Sequence, residues 1–362
     1  MLEETFLPQI INNNLQDVLE DIVNRMEIKS DFSISHPDYK PLEITTEARE
    51  NFDKMPPEIQ QKYLSSQLRG FLYGIYYNGS LREALDPDKD HQNLPQDLEN
   101  NTVLGIDIEF YEQLHQSNKG TGYFDSGWQV LREESDGSVA VTKGGLRLHI
   151  QRDQHLLSED KFAKIGEIVK IKLLKNRIQS GFYMAVGNHG FSHSEERGIK
   201  DTTVRIYFNF TPEGAIAVME CLTQQFNEKE IPFSFKVLYN PKEYKRHDSG
   251  VLYFDKQNYT KVKDIVMNIY QETKGYFKNS VPLFTLKLEQ GLGLAEEPDH
   301  RFSEQESFGM NRCQIIANGL LKAWYEGDNS PQGRMKFILE QFSELGIDLD
   351  RIYLNGGSED IY

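Results

Sequence analysis

TTVRIYFNFTPEGAIAVMECLTQQFNEKEIPFSFKVLY, residues 202–239, decides the reading of the fold. Seven of its first nine residues are β-branched or aromatic, which suits a strand over 202–210. Thr211-Pro212-Glu213-Gly214 then starts a helix, with Thr as N-cap and Pro at the first helical position. Ile216, Met219, Leu222 and Phe226 follow at helical spacing, and Pro232 precedes a second strand over 233–239. Strand, helix and strand from Val204 to Val237 make one compact unit.

Similar strand patterns flank it. WQVLREESDGSVAVTKGGLRLHI, ending at Ile150, alternates around Asp136-Gly137 and Gly144-Gly145, the dipeptides of tight hairpin turns, so an antiparallel meander is expected. EIVKIKLL (167–174), GFYMAVG (181–187) and GVLYFD (250–255) add strands. Helical periods recur over 259–276, 307–325 and 332–345, and a short helix is expected over 107–115.

Toward the N-terminus, Leu7 to Met26 and Pro57 to Tyr77 carry apolar residues at three- and four-residue steps. DPDKDHQNLPQDLENN (86–101) has two prolines and no period, which marks a boundary. The expected architecture is α+β: a twisted, mostly antiparallel sheet flanked by helices over 101–362, with an N-terminal helical region over 1–100.

The formal net charge of −16 opposes binding to a nucleic-acid backbone. No basic leader and no apolar stretch of membrane-spanning length is present, so a cytoplasmic chain without membrane partner is expected. Cys221 and Cys313 fall within helical patterns and read as buried thiols. Charge is uneven: Lys143 to Arg177 holds nine basic and four acidic residues, a local +5.

Side chains two apart on a strand share a face, which groups Arg147 with His149, Lys170 with Lys172, and Arg205 with Tyr207 and Asn209. Three cationic rows on one side of a sheet would hold a phosphate dianion; on separate faces they are ordinary solvated surface. Lys236 interrupts the apolar run FSFKVL, where a half-buried amine either pairs with an acid or serves as a base. His189 and His193 have metal-like spacing but no Cys or carboxylate partner, so no metal is assigned. LEQGLGLAEEP lacks the third glycine of a nucleotide loop, and Ser192 and Ser194 lack a nucleophile elbow.

The segments YFDSGWQVL, GGLRLHI, SGFYMAVGN, VRIYFNFTPEGA, PFSFKVLYNP, DSGVLYF, ESFGMNRC and NGGSEDIY, spanning roughly residues 120–362, resemble the HopA-type effector family. That family includes plant-pathogen type III effectors and relatives in bacterial peptide-maturation clusters. The resemblance implies a cofactor-free lyase of the class V lanthipeptide type. It would eliminate phosphate from phosphoserine or phosphothreonine of a precursor peptide after a partner kinase has acted. The alternative it implies is a non-catalytic effector, or a scaffold for a kinase or peptide.

A looser likeness to the phosphothreonine lyases of enteric pathogens suggests two registers. One uses Arg147-Leu148-His149 with Lys170 or Lys172; the other uses Arg205-Ile206-Tyr207 with Lys236 and Arg246. Together these make Lys236 the expected base, His149 or Tyr207 the proton donor, and Arg147, Arg205, Arg246, Lys170 and Lys172 the phosphate ligands.

Overall fold

The computed structural model describes residues 13–88, 102–103, 105–191, 202–304 and 306–362. Helix α1 (Asn13–Arg25) is followed by a small antiparallel ribbon of β1 (Glu27–Ile28), β2 (Ile34–His36) and β3 (Tyr39–Leu42), then α2 (Thr46–Phe52) and α3 (Pro57–Leu72). The last turn of α3 widens into a π-helical turn over Tyr73–Tyr77, and Gly79 at φ +74° ends it. A two-stranded piece, β4 (Thr102–Val103) with β5 (Ile106–Asp107), precedes α4 (Ile108–Ser117), whose first turn is capped by Asp107 accepting from the Phe110 amide at 2.9 Å.

Two larger sheets follow. The first is four-stranded: β6 (Tyr123–Glu133), β7 (Val139–Lys143), β8 (Leu146–Ile150), the short helix α5 (Arg152–His155) and β9 (Ile168–Leu173), in the order β8-β7-β6-β9. Gly137 at φ +80° and the pair Gly144 and Gly145 at +55° and +81° close its hairpins, as their dipeptides predict. The second sheet has seven strands: β10 (Asn176–Gln179), β11 (Phe182–Val186), β12 (Thr203–Phe208), β13 (Ser234–Leu238), β14 (Gly250–Asp255), β15 (Leu286–Glu289) and β16 (Leu292–Glu296). Their order is β10-β11-β13-β14-β12-β16-β15, every pair antiparallel. Helix α6 (Pro212–Glu228) crosses from β12 to β13, two parallel strands with β14 between them, and α7 (Tyr259–Thr273) packs on α6. Helices α8 (Phe308–Glu326) and α9 (Pro331–Glu344) pack together and against α3 and α1.

Alternation explains how the seven-stranded sheet is covered. Ile206, Phe208, Phe235, Val237, Leu252 and Phe254 form an apolar face, with Phe277, just beyond α7, 6.1 Å from Phe208. The other face carries Arg205, Tyr207, Lys236 and Tyr253; Tyr77 and Phe308 lie on Tyr207 at centroid distances of 6.4 and 6.5 Å. Helices α1 and α3 thus share one continuous core with the seven-stranded sheet and α8, while Trp128, Val130, Val139, Val141, Ile150, Leu156, Ala163, Val169 and Ile171 form a separate small core under the four-stranded sheet. The N-terminal helices do not form a core of their own. The start of the first predicted helix and most of the polar 86–101 segment lie outside the described residues.

Candidate functional site

Register, more than strand identity, brings the site together. Tyr253 on β14 pairs with Arg205 on β12 and with Ser234 on β13; Val251, two residues earlier, pairs with Tyr207 and Lys236. Met184 of β11 lies opposite Lys236, and Gln179 of β10 lies opposite Phe182. Residues directly opposite point to the same side, so Arg205, Tyr207, Lys236, Tyr253, Phe182 and Gln179 share one face.

Lys236 Nζ sits 4.6 Å from the centre of the Phe182 ring and 5.4 Å from that of Tyr253. It also donates to Gln179 Oε1 at 3.4 Å. The Arg205 guanidinium lies over Tyr253 as well, at 5.0 Å, and Arg246 lies over Phe182 at 5.6 Å. The half-exposed rings of Tyr253 and Phe182 are therefore shared between Lys236 and one arginine each, each contact contributing on the order of 0.5–2 kcal/mol.

Both arginines have carboxylate partners. Arg205, almost fully buried, is ion-paired through Nε to Glu297. Arg246 grips Asp248 through Nε at 2.5 Å and through Nη2 at 2.8 Å. Asp248, 4% exposed, also accepts from Tyr73 Oη at 3.2 Å and Asn78 Nδ2 at 3.3 Å. Burial would raise its carboxyl, but Arg246, Asn78 and Lys236 outweigh burial and hold it below the ordinary carboxylate value. Tyr73 and Asn78 reach it because the π-helical turn shifts the end of α3, stacking Tyr73 on Tyr77 at 5.0 Å.

Tyr207 is 2% exposed, and its hydroxyl, facing Tyr77 and Arg205, completes no hydrogen bond within the described residues. Burial pushes the phenol up to about 12 against the pull of Arg205. Enclosed in this way, Tyr207 is a poor proton donor to anything arriving from solvent.

The expectation that three cationic rows converge is corrected by the two-sheet architecture. Arg147 and His149 lie on β8, and Lys170 and Lys172 on β9, all exposed on the outer face of the four-stranded sheet. These strands are opposite edges, three inter-strand spacings or roughly 14 Å apart. His149 Nδ1 lies 3.4 Å from Glu134. Arg205, Tyr207 and Lys236 stand on a different sheet with a different core, accompanied by Arg246 from the loop before β14. One register is thus brought together and the other is a solvated face.

Tyr253, Phe182, Gln179, Asp248 and Glu297 escaped the sequence reading. Aromatic residues within strands read as core, and only the cross-strand register reveals which ring lies beside which cation. A groove of about 1010 Å³ lies elsewhere, beside Val130, Glu133, Arg152, Phe162 and Ile165, and its lining mixes both charges. Among the described residues, no group of three or more His, Cys, Asp or Glu side chains could hold a metal ion. Of the metal-like motif, Ser192 and His193 lie outside the described residues.

A family model described as the HopA1 effector protein family matches residues 173–354. Similar solved structures include the effector protein from Pseudomonas syringae pv. tomato strain DC3000, at 18% identity and TM-score 0.44, covering 81% of this chain and 94% of that one. The effector protein from Pseudomonas syringae pv. syringae strain 61 is similar at 16% identity and TM-score 0.43, with 82% and 94% covered. No curated protein matches the chain. The span 173–354 contains the Lys236 cluster and stops short of nearly all of β6–β9.

Proposed function

The chain belongs to the HopA1 effector protein family, and from that premise we propose that its Lys236 face takes a phosphorylated Ser or Thr side chain of a precursor peptide and eliminates the phosphate. In this reading the Lys236 amine removes the α-proton, the electron pair left behind forms the Cα–Cβ double bond, and the Cβ–O bond breaks. Phosphate departs with both electrons of that bond, leaving a dehydrated residue. The phosphorylated residue comes from a kinase acting beforehand.

The observation that carries the reading is the position of Lys236. Its amine is half-exposed on an open sheet face between two rings, and among the described residues no carboxylate lies within ion-pair distance of it. An incoming phosphate meets this amine first and Arg246 next, beside the same Phe182 ring. Arg205 is too enclosed to meet it; through its stacking on Tyr253 it is a positioning residue. With Tyr207 buried and His149 on the other sheet, phosphate leaves without a side-chain acid, which its low basicity permits.

A second reading, phosphopeptide binding without turnover, is favoured by the fact that Glu297 and Asp248 already occupy both arginines. Mass spectrometry of a phosphoserine peptide incubated with the protein separates the two. The lyase reading expects loss of one phosphoric acid per site, abolished in Lys236→Ala. Lys236→Arg keeps the charge without a usable base, so it should retain binding while losing turnover. Recovery of intact phosphopeptide from the wild-type protein would favour the binder.

A further inference from the structure

The segment NGGSEDIY, residues 355–362, supplies no group to the site above, yet it is fastened beside it. It contains neither helix nor strand, and Gly357, Glu359, Asp360 and Ile361 are exposed. The Ser358 amide closes a turn on the Asn355 carbonyl at 3.1 Å; among the described residues, no backbone-to-backbone hydrogen bond ties 356–362 to a strand or helix. Side chains hold the segment instead.

Glu296, the last residue of β16, is the anchor. Its side chain is fully buried: Oε1 accepts from Lys256 Nζ at 2.8 Å, Ser358 Oγ at 2.8 Å and Tyr362 Oη at 3.0 Å, and Oε2 accepts from the Asn355 amide at 3.0 Å. Lys256 also donates to Ser358 Oγ at 2.9 Å and to the Glu359 carbonyl. The Tyr362 ring stands edge-on to Tyr259 at 4.8 Å. Burial, and then the Glu296 charge, push its phenol well above the ordinary tyrosine value, so it remains a donor throughout the neutral range. A buried carboxylate needs these donors, and two of them come from the segment's own hydroxyls.

Two short connections run from this anchor to the Lys236 face. Glu297, the next residue, pairs with Arg205, whose guanidinium lies over Tyr253. Asn355 fixes that corner, donating from Nδ2 to the Glu297 carbonyl at 2.8 Å and accepting from the Asp299 amide at 3.2 Å. Lys256 follows β14, three residues after Tyr253. Both connections end at the Tyr253 ring, one of the two that flank the Lys236 amine.

We propose that residues 355–362 are a strap whose docking on Glu296 positions the Arg205–Tyr253 pair and, through it, the amine of Lys236. Ser358 and Tyr362 are then positioning residues for the phosphate elimination, and in that role the inference rests on the reading given above. Because side chains fasten it, the strap can lift without breaking a sheet ladder, as a local opening. Its release loosens the Glu297 corner and frees one flank of Lys236.

The test is acetylation of the whole chain with N-hydroxysuccinimidyl acetate, read lysine by lysine by mass spectrometry, with Lys170 on the other sheet as reference. In Ser358→Ala/Tyr362→Ala, Lys236 should label about fivefold faster, the scale of one lost cation–ring contact. Tyr362→Phe keeps the ring and removes one donor; it should shift labelling in the same sense by about twofold, and it decides the matter if the double variant does not fold. Arg205→Lys keeps a charge for Glu297 without the flat guanidinium, so it should match the double variant, and combining the two should add nothing, since both act at Tyr253. The inference is overturned by unchanged Lys236 labelling, by gains that multiply in the combined variant, or by an equal rise at Lys170, which marks general loosening. Loss of phosphoric acid from a phosphoserine peptide, followed in parallel, should slow in the same variants. Its absence in the wild-type protein sinks the elimination, while the labelling still decides the strap.

Discussion

Asp248 is the residue on which the geometry of the site turns. It binds Arg246 through two hydrogen bonds and gathers Tyr73 and Asn78 from the end of α3, linking an N-terminal element to the strand face. Removing one partner of such a buried pair leaves the other uncompensated, so Asp248→Asn should lower stability by about 3 kcal/mol near neutral pH. The sign of the pH dependence follows from the lowered folded-state value. The Asp248 contribution is complete above the unfolded carboxylate value of about 3.9 and is lost as pH falls through the folded one. Urea midpoints of wild type and variant should therefore lie far apart at neutral pH and converge in acid. A constant gap across that range would contradict the assignment. Alternation along one strand was enough to pair Arg205 with Tyr207 and to single out Lys236. The rings and carboxylates around them come from strands distant in sequence, and no local pattern encodes that register.

Among the elements, helices with explicit caps were the most legible. Ser307 accepts from the Met310 amide at the start of α8, Gly327 ends that helix at φ +77°, and Thr211 with Pro212 opens α6. The hairpin β15–β16 went unrecognised because LEQGLGLAEEP is rich in glycine, and its turn glycine, Gly291 at φ +69°, lies against the Lys278 and Asn209 carbonyls. Gly319 of α8 lets α9 approach: a Cβ there would meet the Ile338 Cα at 2.6 Å. Gly→Ala in a helix gains up to about 1 kcal/mol from propensity, while overpacking costs on the order of 1–3 kcal/mol. Gly319→Ala should therefore destabilise, whereas Gly70→Ala, on α3 with open space around it, should stabilise. Thermal unfolding of the two variants checks both signs together, and stabilisation by Gly319→Ala would show that the helices are not in close contact.

At the scale of the whole molecule, the chain builds two hydrophobic cores of very different size, and stability should divide accordingly. The four-stranded sheet rests on nine buried side chains and has an open edge at β8. The seven-stranded sheet is buried in its central strands and shares its core with helices from both ends of the chain. Hydrogen exchange followed by mass spectrometry should show amides of β6–β9 exchanging through a sub-global opening, well before those of β12–β14. Equal protection in both sheets would mean that the cores unfold as one. None of the described helices is long and apolar enough to cross a membrane.

The α+β class, half of the strands, most of the helices and the polar rows on three strands could be read from sequence alone, because period, caps and turn dipeptides are local properties. Tertiary structure decided which rows meet. Strand order and register assigned Lys236 and Arg205 to one sheet, beside Arg246 in the loop before β14, and Arg147, His149, Lys170 and Lys172 to another. Those pairings are set by non-local burial of apolar faces, a quantity that belongs to the folded chain as a whole.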